Sequence, residues 1–221
     1  GIITSVEMKI YPIAETRIFQ AYTFPSTHDG LNAIRNFIHK GLRPAVVRLY
    51  DEVEAVPKIS SYGFEKGFVL LILVFEGNKE MSELEAGMTK EICLGNNGRY
   101  KGELAAREWL ETRFSTKKML DFDAIKGGTA DAIEVAAPWD CIENVWREMR
   151  KALEPMCTVV DCHFSHVYHN GASVYVIYHA KTDGDDKAGE ERYLQCLDTA
   201  IQTSLKYGGN VSHHHGVGTA K

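Results

Sequence analysis

No apolar run in this 221-residue chain is long enough to cross a bilayer: the longest, residues 68–75, falls far short of the ~20 residues a spanning helix needs. Positive charge is not in excess either. Against 25 Lys and Arg stand 30 Asp and Glu, a formal charge of −5. That balance gives no field for a phosphate backbone and excludes nucleic acid as the expected partner. The five cysteines (Cys93, Cys141, Cys157, Cys162 and Cys196) are odd in number and lack framework spacing, so disulfides are not expected and small buried hydrophobes of a reducing compartment are. No GxGxxG, P-loop, GxSxG or EF-hand string occurs, and nothing here cradles a dinucleotide pyrophosphate by a familiar route. The opening Gly1-Ile2-Ile3-Thr4 has neither an initiator Met nor a signal-peptide pattern, which leads us to expect a piece of a longer protein.

What is present is ordinary globular material, 44% hydrophobic, enough for one large domain or two small ones. Residues 2–11 and 16–24 read as strands separated by Pro12. A helix follows, with Ser26 and Asp29 as capping pair, Leu31, Ile34 and Ile38 on one face, and Gly41 as the stop. Residues 45–49 and 68–75 are two further strands, the second apolar throughout and so central. Met81, Leu84, Met88 and Ile92 mark a helix, and residues 100–114 read as another. The order then repeats. A strand at 132–136 precedes the helical stripe Ile142, Val145, Trp146, Met149, Leu153, with Asp140 and Glu143 as capping pair. Strands at 157–168 and 172–179 are joined by a tight turn at His169-Asn170-Gly171, and a last helix spans roughly 187–207. Strand, helix, strand, strand, helix occurring twice predicts an α+β fold of two ferredoxin-like halves sharing one mainly antiparallel sheet, with helices on one face.

The chemistry concentrates near the C-terminus, in Ser212-His213-His214-His215-Gly216-Val217-Gly218. Imidazole titrates near neutrality, so a loop delivering several can supply base, acid and oxyanion partner together. A purification tag is longer and set in linker sequence, whereas this run follows a helix end at Tyr207-Gly208-Gly209. A metal site is also not expected. Neighbours in an extended loop point to opposite sides, so His213 and His215 would share an ion only by excluding His214, and no CxxC or HExxH accompanies them. Arg48 is a charge in an otherwise apolar strand; it either pairs with Asp51 or Glu52 at a sheet edge or serves as a fork for a phosphate or carboxylate. Tyr175 alternates with Val174 and Val176, which puts it on the opposite face with Ser173, Ile177 and His179, as sheet packing or as a proton-transfer group. His163, His166, His169 and His179 crowd the same hairpin, and surface positions account for most of them. Trp139, after Pro138, reads as architecture at a strand-to-helix junction.

In their order these strings resemble the C-terminal half of the alkyldihydroxyacetonephosphate synthase family, within the vanillyl-alcohol oxidase-type FAD-linked flavoproteins. Gly1-Ile2-Ile3-Thr4-Ser5-Val6 is similar to the tail of the superfamily's FAD-binding domain, and residues 44–51 to its arginine strand. Residues 131–140 and 168–178 are similar to a strand ending in Pro-Trp-Asp and to a hairpin bearing a tyrosine. The run Ser212 to Gly218 is similar to the family's histidine loop without a mismatch, where lactate and glycolate dehydrogenases of the superfamily show GEHG. The resemblance implies a division into the tail of an FAD-binding domain at 1–12, a cap or substrate domain at 13–207 and the histidine loop at 208–221. Thr219 departs from the family, standing where a basic residue is frequent.

The resemblance further implies FAD, held mainly by another domain. Its reaction exchanges the acyl chain of an acyl dihydroxyacetone phosphate for a fatty alcohol, without net redox change. It carries catalytic roles onto His213, His214, His215, Tyr175 and Arg48, histidine and tyrosine for proton transfer and arginine for an anionic group. It also implies a homodimer, a peripheral membrane association of the whole enzyme, and a peroxisomal setting in a eukaryote or a cytoplasmic one in a prokaryote. Two other readings stand beside it: an FAD-dependent 2-hydroxyacid or alcohol oxidoreductase on the same scaffold, in which Arg48 holds a carboxylate, and a non-catalytic ligand-binding domain.

Overall fold

The structure, a computed structural model, describes residues 2–115 and 125–218. Period-2 alternation of apolar residues builds one seven-stranded sheet in the order β4-β1-β3-β2-β6-β7-β5, with every pairing antiparallel. The strands are β1 (Thr16–Phe24), β2 (Val46–Tyr50), β3 (Val69–Gly77), β4 (Arg99–Tyr100), β5 (Gly128–Pro138), β6 (Val159–Val167) and β7 (Gly171–Lys181). The helices are α1 (Thr27–His39), α2 (Ala55–Ser61), α3 (Lys79–Gly95), α4 (Leu104–Thr112), α5 (Ile142–Leu153) and α6 (Asp186–Lys206). None among the described residues is long and apolar enough to cross a membrane.

The duplication read from the sequence is present. One half contributes β1, β3 and β2, the other β6, β7 and β5, and they meet where β2 pairs with β6. Odd residues of β3 (Val69, Leu71, Leu73, Phe75) and even residues of β6 and β7 (Val160, Cys162, Phe164; Val174, Val176, Tyr178) face one continuous core, closed by apolar stripes of α1, α3, α5 and α6. The tight turn joins β6 to β7 at residues 168–171, with the Tyr168 N–H donating to Gly171 O at 2.8 Å and the Trp139 indole N–H to the Tyr168 and His169 carbonyls at 3.1 Å.

The opposite face differs between the halves. Phe19, Ala21, Leu70, Ile72 and Val74 are roofed by α2 and α4, through Ala55, Ile59, Ala105 and Ala106. These two short helices refine the sequence reading. Helix α2 carries Pro57 in its first turn, where the missing N–H costs nothing, and one proline hid it. The helix expected over 100–114 is β4 followed by α4, because Gly102 at φ +81° breaks the chain between them.

Three further expectations are corrected. Residues 2–11 form no strand; Ile2 and Ile10 are 92% and 88% exposed, and the alternating pattern has no partner strand among the described residues. Asp140 and Glu143 do not cap α5, whose N-cap is Cys141 without a side-chain bond; Glu143 instead meets His28 of α1 at 2.8 Å. The strand holding Arg48 is not at an edge but at the centre of the sheet. The pair at Ser26 and Asp29 does cap α1, the Asp29 N–H donating to the Ser26 hydroxyl at 3.1 Å.

Where β5 and β7 run closest, a Cβ on Gly171 would stand 2.2 Å from the Ala137 carbonyl oxygen, a backbone atom that cannot step aside. Gly171→Ala is therefore expected to cost about 1–3 kcal/mol in chemical denaturation. Gly87→Ala, on α3 with open space around it, should instead stabilise by about 0.4–1 kcal/mol.

Candidate active site

Antiparallel register aligns one row of side chains across the second half of the sheet. Tyr50 of β2 pairs with His163 of β6, His163 with Tyr175 of β7, and Tyr175 with Glu134 of β5. All lie on one face of the sheet, Tyr50 beneath α2 and α4 and the other three beyond them. The Tyr175 ring stacks on His163, centroids 4.5 Å apart and planes 21° from parallel. His163 and Tyr175, with Arg48 and Asp161, line a cleft of about 1010 Å³ that His214 and His215 also enter.

At the inner end of the row the charges are balanced locally. The buried His163 Nδ1 lies 2.8 Å from the Glu54 carboxylate, to which its N–H donates. Burial would raise the Glu54 carboxyl, but the His163 bond and the cations Lys58 and Arg48 outweigh it and hold Glu54 ionised. Burial lowers the His163 pKa and keeps the ring neutral. Arg48 reaches Glu54 at 4.0 Å, not Asp51 or Glu52 as its sequence neighbours promised. Its guanidinium packs over Tyr50 and over Trp109 of α4, 5.3 and 5.9 Å from the ring centroids. Its buried Nε has no hydrogen-bond partner among the described residues, while the side chain as a whole is partly exposed and lines the cleft. Asp161 is raised to about 7, by burial first and then by the charges of Glu54 and Asp51.

At the outer end the histidine loop docks. Helix α6 ends in a glycine turn: Gly208 lies at φ +93°, and a Cβ on Gly209 would come within 2.4 Å of Ser204 Oγ. Asn210 then clasps the free edge of β5, its N–H donating to Ala136 O at 3.0 Å while its Oδ1 accepts from Ala136 N at 2.7 Å. Two residues back on β5, the fully buried Glu134 carboxylate accepts the backbone N–H groups of His213 and His214 at 3.0 Å and of His215 at 3.4 Å. Burial alone would raise its pKa, but these donors and His214 hold it below the usual range. The loop presents its rings to the row: His215 meets Tyr175 edge-on at 5.2 Å and His214 lies parallel to it at 6.3 Å. Burial raises the Tyr175 pKa, so its hydroxyl stays protonated and available as a donor.

Tyr175, Arg48, His214 and His215 thus line one cleft. His213 turns outward from it, its Nε2 2.9 Å from the Tyr168 hydroxyl and its Nδ1 2.9 Å from Nδ1 of His214. These neighbours converge instead of pointing apart, because the loop is coiled around a carboxylate and not extended. Glu134 and Glu54 escaped the sequence reading, and His163, one of the four hairpin histidines assigned mostly to the surface, is buried. The signal was there: Glu134 and His163 interrupt apolar strands at positions sharing the face of Tyr175.

The chain belongs to the family described as FAD linked oxidases, C-terminal domain, whose model matches residues 13–221. Among its curated relatives are alkyldihydroxyacetonephosphate synthase of Dictyostelium discoideum, 23% identical over 99% of this chain, and the uncharacterized FAD-linked oxidoreductase YgcU of Escherichia coli K12, 26% identical over 98%. The chain spans 40% and 47% of their respective lengths. A solved structure of alkyldihydroxyacetonephosphate synthase shares the fold at a TM-score of 0.80 and 20% identity, over 93% of this chain and 42% of that one. The 4-ethylphenol oxidase of Gulosibacter chungangensis does so at 0.64 and 11%, over 88% and 46%.

Two outcomes follow from these charges. Glu134→Ala removes the acceptor for three backbone donors and should release residues 212–215 to rapid hydrogen exchange, with a loss of about 1–3 kcal/mol in stability. Asp161 binds its proton more tightly folded than unfolded, so the protein should lose stability as pH rises from about 4 to 7, at up to about 1.4 kcal/mol per pH unit for this group. Asp161→Asn should flatten that fall in melting temperature and raise stability at pH 8.

Proposed function

We propose that the chain is the substrate-side domain of an FAD enzyme that exchanges the acyl group of an acyl dihydroxyacetone phosphate for an alkyl group, as in alkyldihydroxyacetonephosphate synthase. The convergence of Tyr175, His214, His215 and Arg48 on one open cleft carries this reading. The similarity of 99% of the chain to the Dictyostelium synthase supports it.

The cleft fits a flavin and its substrate. It offers protonated hydroxyl, imidazole and guanidinium donors on one sheet face, and the partly exposed Arg48 guanidinium suits a carboxylate or phosphate oxygen. FAD would supply a reversible electron sink for the substrate carbon. The residues of this chain do the rest. The Tyr175 hydroxyl donates to a developing oxyanion, and His214 and His215, beside its ring, take and return the proton of the exchanging group. Arg48, held by Glu54 and its aromatic neighbours, orients the anionic part of the substrate. Neutral His163 backs Tyr175 as a flat support.

The measurement that decides is made on the full-length protein with bound flavin. Exchange of a fatty alcohol for acyl, with the flavin staying oxidised, is the expected result. Anaerobic bleaching by a 2-hydroxyacid with no exchange would replace it with the oxidoreductase reading, which the similarity to YgcU favours. Tyr175→Phe and His214→Ala should each lower kcat by about 10²–10⁴. Unchanged turnover in both would point to a ligand-binding domain.

A further inference from the structure

Around Glu134 the charge does not balance as it does around Glu54. A fully buried carboxylate is met within 4 Å by no lysine or arginine among the described residues; the rings of His213 and His214 are ion-pair partners there. Glu134 Oε1 lies 2.8 Å from His214 Nδ1 and 3.2 Å from His213 Nδ1, and those two nitrogens are 2.9 Å from each other. Two imidazole nitrogens and one carboxylate oxygen thus form a small triangle of possible ligand atoms. Ligands about 2.0–2.2 Å from a zinc-class ion stand about 3.0–3.5 Å apart, close to these spacings.

A third imidazole completes the cluster. At His166 the β6 register shifts by a bulge and φ is +47°, a conformation rare outside glycine. That bulge turns the His166 ring to within 4.3 Å of the His214 ring, and one nitrogen each of His166, His213 and His214 lie within 4.8 Å of one another. The far sides of the rings have the anchoring partners that metal-ligating histidines need: His213 Nε2 meets Tyr168 Oη at 2.9 Å and His166 Nδ1 meets Ser165 Oγ at 3.1 Å. Glu134 Oε2 accepts the backbone N–H groups of His213 and His215, while Oε1 accepts that of His214 at 3.0 Å and turns its remaining lone pair toward the two Nδ1 atoms.

We propose that Glu134, His213, His214 and His166 form a binding site for one divalent transition ion of the zinc class, and that the ion, by occupying His214, blocks turnover. Three nitrogens and one carboxylate oxygen select zinc, cobalt or nickel over magnesium and calcium, which take oxygen. The metal site stands on geometry alone; its inhibitory effect rests on the proton-transfer role given to His214 above.

The test uses the full-length flavin-loaded protein, freed of metal by a chelator and titrated with Co²⁺ followed by absorption, then with Zn²⁺ by calorimetry. One equivalent of either ion should bind, with tetrahedral cobalt bands. His166→Asn, chosen because asparagine tolerates positive φ, should weaken binding by at least about tenfold. Metal-free turnover should survive in that variant, while Zn²⁺ inhibits the parent at stoichiometric amounts and the variant only at higher concentration. Absence of a one-to-one complex, or one that His166→Asn leaves unchanged, overturns the site. A complex that leaves turnover intact overturns the inhibition. Metal binding that depends on His166 in a protein with no exchange activity would sustain the site while sinking the proposed reaction.

Discussion

Cross-strand register is the constraint on which the cleft depends. Tyr50, His163, Tyr175 and Glu134 come from four strands and are neighbours only because β2, β6, β7 and β5 pair at one offset. A slip of one residue at any seam would send its polar member into the apolar layer under α5 and α6 and bring a valine or cysteine up in its place. The same slip would bury a charge without a partner, so hydrophobic burial and polar chemistry enforce a single register. The joint between β2 and β6 matters most, because across it the arginine of one half meets the histidine and tyrosine of the other.

Two buried carboxylates then organise the two ends of the row by different means. Glu54 sits among permanent or fixed donors, Lys58, Arg48 and the His163 ring, and behaves as a structural charge that aims the guanidinium. Glu134 is met instead by main-chain dipoles and by imidazoles. Its environment gathers a loop without neutralising it, and the site is tight in position while open in charge.

The fold was largely legible in the chain, since period-2 and helical stripes placed both halves and the order of their elements. What escaped was local. Pro57 concealed α2, although a first-turn proline is compatible with a helix, and the alternation of residues 2–11 mimicked a strand that pairs with nothing described. For the cleft, Tyr175 could be placed on its face by counting twos from Val174. Arg48 was recognisable as an anomaly, but its partner Glu54 lies on a turn whose path no periodicity reports. The histidine loop was visible as a string, while its shape was not, because what coils it is a carboxylate 79 residues earlier in sequence, at Glu134 relative to His213. Long-range capture of this kind leaves no spacing to count.

The two halves share a topology yet cover one sheet face by different means, one with α2 and α4 and the other, among the described residues, with the histidine loop. That asymmetry separates apolar packing from polar side chains on one face. The roofed half owes its cohesion to side chains buried on both faces of β3, where almost any change is punished. The other half buries its apolar residues against α5 and α6, so its opposite face can hold polar groups such as Glu134, His163 and Tyr175 without depriving the core of apolar contacts.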